Sequence, residues 1–173
     1  NALQDNVSGG GNVAIGSSSL ANNQGGYMNT MIGMESGLSN TGGAENTAYG
    51  SLSFRNNTMG SEDVALGRYA AYSNTTGSRN LTVGFGAGRN NLTANEETHI
   101  GYEAGYNTTS NLNPFQSPEP NTFIGFKAGR QNTTGFGNTM SGYKSGFANT
   151  TGYYNSAFGA QALSSNTNGT ENS

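Results

Sequence analysis

Apolar and small residues recur along this chain at a step of 17, each time locked to a glycine. The anchors are Gly16, Gly33, Gly50, Gly67, Gly84 and Gly101, then Gly125, Gly142 and Gly159 after one step of 24, which is one period plus an insertion of 7. Just before each anchor stands an apolar column: Ile15, Ile32, Tyr49, Leu66, Val83, Ile100, Ile124 and Phe158, broken only by Ser141. Three before it the residues are β-branched or similar, as in Val13, Thr30, Thr47, Val64 and Thr98. Three after it they are small, from Ser19 and Ser36 to Ala128 and Ala162. A fixed short period marks stacked supersecondary units rather than one globular core. A few apolar and β-branched residues bounded by Asn and Gly read as a short strand, and this density of Gly, Asn and Thr disfavours helix at about 0.5–1 kcal/mol per residue. The pattern predicts an all-β β-solenoid of 17-residue coils.

The polar positions keep the same step. Four residues before the anchor stand Asn12, Asn29, Asn46, Asp63, Asn80, Glu97, Asn121, Asn138 and Asn155, with Asn172 in phase. Seven after it Asn returns at Asn23, Asn40, Asn57, Asn74, Asn91, Asn132, Asn149 and Asn166, and a second glycine follows three residues later in most coils. Stacked amides that donate and accept along the rod are the expected role of both columns. The Asn-Thr-Thr-Gly segments are expected to be turns.

Alternation along a strand puts the residues one and three before the glycine on one side and the residue between them on the other. With the first pair directed to the core, the middle column faces outward: Ala14, Met31, Ala48, Ala65, Thr82, His99, Phe123, Met140 and Ala157. That column is mostly apolar, and an exposed apolar sheet face needs a cover. The expectation is a homo-oligomer, three-fold, self-associating through these nine residues.

Composition adds exclusions. The chain has 173 residues, 32% hydrophobic and 10% charged, with 28 glycines, no cysteine and a formal net charge of -3. There is no disulfide framework and no thiol chemistry. No apolar run reaches the roughly 20 residues of a membrane span, and the scattered basic residues give no footprint for nucleic acid. One repeat array is expected: a partial coil 1–11, regular coils 12–106, an insertion-bearing loop 107–120, regular coils 121–171 and the start of another coil at 172–173. The array is about 43 Å long at the strand spacing of a sheet. Uncapped ends in phase with the repeat point either to a window in a longer array or to end-to-end stacking into a filament.

The segments Asn12-Val-Ala-Ile-Gly16, Asn46-Thr-Ala-Tyr-Gly50 and Asn121-Thr-Phe-Ile-Gly125 resemble the head repeats of trimeric autotransporter adhesins. The longer forms, Phe126 to Gly135 and Tyr143 to Gly152, are similar to repeats of tail-fibre-domain proteins. The resemblance implies a left-handed parallel β-roll, a trimer, and a place on a cell or virion surface. The period here is longer than in the adhesin heads, and no coiled-coil stalk, membrane anchor or self-cleaving chaperone accompanies it.

Candidate chemistry is sparse. A single histidine, His99, and no cysteine cannot assemble a nucleophile, base and orienting acid, and the glycines match no phosphate loop. Glu96, Glu97 and Glu103 lie near His99 in sequence, but Glu97 only replaces the Asn of its column, so neither a metal nor a cofactor is expected, and the chain reads as a non-enzyme. The loop carrying Pro114, Phe115, Pro118 and Pro120 cannot join the ladder and is a candidate contact site. The aromatics Phe85, Tyr102, Phe126 and Tyr143 form a stripe that would pack laterally if buried or meet surface glycans if exposed. Glycosylation sequons occur at Asn6, Asn56, Asn74, Asn80, Asn91, Asn107, Asn132, Asn149 and Asn168, mostly as by-products of turn chemistry. The expected function is a structural segment of an extracellular fibre, filament or fibrous adhesin. The alternatives are a receptor- or glycan-binding module and an ice-binding solenoid suggested by the Thr columns.

Overall fold

The computed structural model describes residues 1–109 and 119–173. Among the described residues nine three-residue strands occur, one per coil: β1 (Val13–Ile15), β2 (Thr30–Ile32), β3 (Thr47–Tyr49), β4 (Val64–Leu66), β5 (Leu81–Val83), β6 (Thr98–Ile100), β7 (Thr122–Ile124), β8 (Thr139–Ser141) and β9 (Ser156–Phe158). They form a single parallel sheet in chain order. The register follows the repeat throughout, with Val13 beside Thr30 and Thr139 beside Ser156. The step of 24 leaves the pairing intact, with Thr98 beside Thr122 and Ile100 beside Ile124. The chain is a parallel β-solenoid.

Pairing between coils continues outside the strands. Gly33 N–H donates to Ile15 O of the preceding coil at 2.7 Å, while Leu20 N–H donates to Ser36 O of the following one at 2.9 Å. The two directions alternate because the backbone repeatedly enters the left-handed region. Glu35 (φ 55°) donates backward to Ser17 O at 2.8 Å, and Gly37 (φ 61°) donates forward to Ser53 O at 3.1 Å. Non-glycine residues such as Leu20, Leu52, Phe54 and Tyr69 hold such angles too. The strain, about 1–3 kcal/mol for each, is held by hydrogen bonds to both neighbouring coils.

The anchor glycine is required twice over. Gly33 has φ 136°, and a Cβ there would stand 2.4 Å from Gly50 O of the next coil. The second glycine has a different reason. Gly43 has no positive φ, but a Cβ there would lie 2.3 Å from Gly60 O and 2.4 Å from Asn40 Oδ1. It is small because the coils touch there.

The interior corrects the expected orientation of the strands. Met31, Ala48, Ala65, Thr82, His99, Phe123, Met140 and Ala157 are buried, and Ala14 is half-buried against the core, whereas Ile15, Tyr49 and Phe158 are 58%, 60% and 70% exposed. The middle column therefore lines the inside and cannot be the self-association face. The reason is volume. The coil is so narrow that the strand's central residue meets the residue six further on, and the two sizes compensate. Large strand residues face glycine (Met31 with Gly37, His99 with Gly105, Phe123 with Gly129, Met140 with Gly146), and Ala48 is followed six on by buried Phe54. A Cβ at Gly129 would sit 2.6 Å from the Phe123 ring. Two bulky residues at both positions would not fit.

Candidate functional site

Both asparagine columns are internal ladders. Asn40 Nδ2 donates to Asn23 Oδ1 at 3.0 Å and to Gly43 O at 2.9 Å, and Asn57 and Asn74 repeat the arrangement. In the other column Asn138 N–H donates to Asn121 Oδ1 at 3.0 Å, its Nδ2 donates to Gly152 O at 2.9 Å, and its Oδ1 accepts from Asn155. Each amide thus satisfies backbone groups that a coil of this width cannot pair by itself.

Five of the expected glycosylation sites fall inside these ladders. Asn74, Asn80, Asn91, Asn132 and Asn149 are buried, with the amide nitrogen that would carry a sugar donating to a carbonyl. Their sequons are the by-product of a buried amide beside a threonine-rich turn. Asn6 and Asn168 are exposed, and Asn56 and Asn107 are half-buried. Of the loop residues, Pro120 is exposed, and Pro114, Phe115 and Pro118 lie outside the described residues.

The ladders are disturbed only in the middle coils. Asp63, 2% exposed, accepts from Asn80 N–H at 2.8 Å, but its second oxygen has no partner. Burial pushes its carboxyl from 3.8 to about 7, against the backbone hydrogen bond from Asn80, which lowers it. Glu97 accepts from Asn121 Nδ2 at 3.0 Å, and its other oxygen lies 2.9 Å from His99 Nε2 without hydrogen-bond alignment. The His99 ring stacks on Phe123 with centroids 5.3 Å apart. Glu96 instead pairs with Arg79, and Glu103 with Arg130. Among the described residues no three acidic or histidine side chains gather to hold a metal. Ala94 replaces the second glycine of its coil, Asn91 Nδ2 reaches Ala94 O at 3.4 Å, and Asn74 Oδ1 is left without a donor.

Outward features lie on two faces. On the strand face, the columns one and three before the anchor are directed to solvent and carry no charge through all nine coils. Beside it runs the aromatic stripe. Phe85, Tyr102, Phe126 and Tyr143 are part-exposed and stacked at 5.2, 5.3 and 5.3 Å. Their planes lie within 13° of parallel, so ring faces cover one another and ring edges face outward. Orientation of the strands and the charge layout around them were missed in the sequence; the size compensation at a spacing of six would have shown the first.

With this geometry in hand, comparison with known proteins finds no matching family model, curated protein or solved structure. What the fold defines is the class, a parallel β-solenoid of 17-residue coils.

Proposed function

We propose that the chain is a structural rod, a segment of an extracellular fibre or fibrous adhesin on a cell or virion surface, whose copies associate through the outward strand face. In this reading the coils form a left-handed roll and three copies pack in parallel, as the resemblance to adhesin heads implies. The observation that carries it is the uncharged outward face made by Ile15, Tyr49, Leu66 and Ile124, which are exposed, and Ile32, Val83 and Ile100, which are half-buried. Nine strands at about 4.8 Å and a width of about 10 Å give on the order of 400–500 Å² per copy. Two such faces approach the roughly 1,000 Å² that a specific interface needs. Ladders of backbone and amide hydrogen bonds along the axis supply the stiffness. No catalysis and no cofactor belong to this reading.

Light scattering on the purified chain tests it. A discrete oligomer that Ile32→Lys with Ile100→Lys converts to a folded monomer is the expected result. A wild-type monomer would overturn the proposal. In that event a second reading gains ground, because Thr30, Thr47, Thr98, Thr122 and Thr139 lie in register on the outward side of a regular sheet. A flat threonine-bearing face of this kind suits ice binding, and thermal hysteresis by the monomer is its measure.

A further inference from the structure

Charge is segregated around the rod. Of seven basic residues, six lie within 6 Å of an aromatic ring in one connected network: Arg55, Arg68, Arg89, Lys127, Arg130 and Lys144. Among the described residues only Glu35 and Glu103 pair with them, leaving a surplus of four positive charges. Among the described residues Arg68, Arg89 and Lys144 make no ion pair, and Arg89 Nε is buried without a partner. The seventh cation, Arg79, belongs to another column, where it pairs with Glu96 at 2.9 Å beside Glu45, Glu62 and Glu171 in the same repeat position. A protein of net charge -3 therefore carries one strongly basic face.

We propose that this basic, aromatic-lined face binds an extended acidic polysaccharide. The rings argue for an anion and against other occupants. Because Phe85, Tyr102, Phe126 and Tyr143 stack on each other, they present edges, and ring edges carry the positive end of the quadrupole. Neutral sugars and unpaired bases need ring faces to stack on, and those are already covered. Spacing favours a glycan. Arg55, Arg89 and Arg130 stand in one column on alternate coils, roughly 10 Å apart at two strand spacings. One coil rises by about the advance of a single sugar ring, so an acidic chain laid along this column would set a carboxylate at the unpaired Arg89, while Arg55 and Arg130 already hold Glu35 and Glu103. Arg89 is held over Tyr69, Tyr72 and Tyr106 at 4.9, 5.4 and 5.6 Å, which fixes its position before any ligand arrives.

This inference uses residues other than those of the strand face and is tested separately from oligomer formation. The probe is hyaluronate, with a carboxylate on alternate sugars, captured on a sensor surface beside neutral dextran. The wild-type chain should bind hyaluronate and not dextran, more weakly as salt rises. Arg89→Gln, and separately Lys127→Gln with Lys144→Gln, should each weaken binding about tenfold or more, the lysine pair with unchanged thermal melting. Arg79→Gln should bind as wild type. The proposal fails if Arg79→Gln loses as much as the others, or if the face variants bind normally. It fails equally if oligothymidylate competes as well as hyaluronate, or if the face variants change the native mass, which would make the face a contact between copies.

Discussion

The coils from Asn121 to Asn155 and those from Asp63 to Thr108 share one backbone plan but differ in how the interior is satisfied. In the later coils Asn121, Asn138 and Asn155 pass hydrogen bonds from one to the next without a gap, over a core of Phe123, Met140 and Ala157. In the middle coils two carboxylates occupy the same column, Ala94 takes a glycine position, and His99 and Thr82 replace apolar core. The apolar interior is accordingly two clusters, one around Leu20, Met31 and Phe54 and the other around Phe123 and Met140. Backbone pairing runs unbroken through the middle, where the side-chain ladder continues with single unpaired atoms at Asp63, Asn74 and Glu97.

The contrast is broken most severely by removing an amide from the complete ladder. Asn138→Ala strands the buried backbone N–H of Asn155 and removes the amide donations to Gly152 O and Asn121 Oδ1, each of which keeps another donor. At about 1–3 kcal/mol for the buried group left unpaired, with the lost donations in addition, a loss of about 4 kcal/mol in denaturant unfolding is expected. Repairing the middle should work in the opposite direction. Asp63 has a folded-state value of about 7 against 3.8 unfolded, so folding favours its protonated form. The resulting stability is complete below about pH 4 and is lost as pH rises through 7. Asp63→Asn should therefore stabilise by about 3 kcal/mol at pH 8 and change little at pH 4, read as the difference between two denaturation series. A pH-independent effect would refute the assignment.

Replacing the buried pair together, Glu97→Asn with His99→Met, makes that coil resemble its neighbours. A gain of about 1–3 kcal/mol is expected, whereas Glu97→Ala alone removes the acceptor of Asn121 Nδ2 and should cost about 1 kcal/mol. The smallest effect belongs to Ala94→Gly. Restoring the close contact lets Asn91 donate to Asn74, worth about 1 kcal/mol, less the extra freedom of glycine in the unfolded chain. A net gain of about 0.5 kcal/mol is predicted from melting curves.

Much of this architecture is legible from residues alone. The step between Gly16 and Gly159 places all nine strands, and the recurrence of Asn29, Asn46 and Asn23, Asn40 marks the ladders. Orientation is not legible from alternation alone, which fits Ile15 and Leu66 inside as well as outside. The coil is too narrow for them, and selects Ala, Met or Phe according to whether a glycine stands six residues later. Charge segregation was hidden for a different reason. Arg55, Arg89 and Arg130 are far apart in sequence, and only stacking of the coils brings them to one side.

The step of 24 between Gly101 and Gly125 has a consequence for how such a chain can diversify. Seven additional residues enter between two coils, yet Thr98 still lies beside Thr122 and Glu103 still reaches Arg130. Pairing of the flanking coils thus tolerates a change of chain length at that corner. A lineage carrying this design can therefore try new appendages there one at a time, without having to change the frame that carries them.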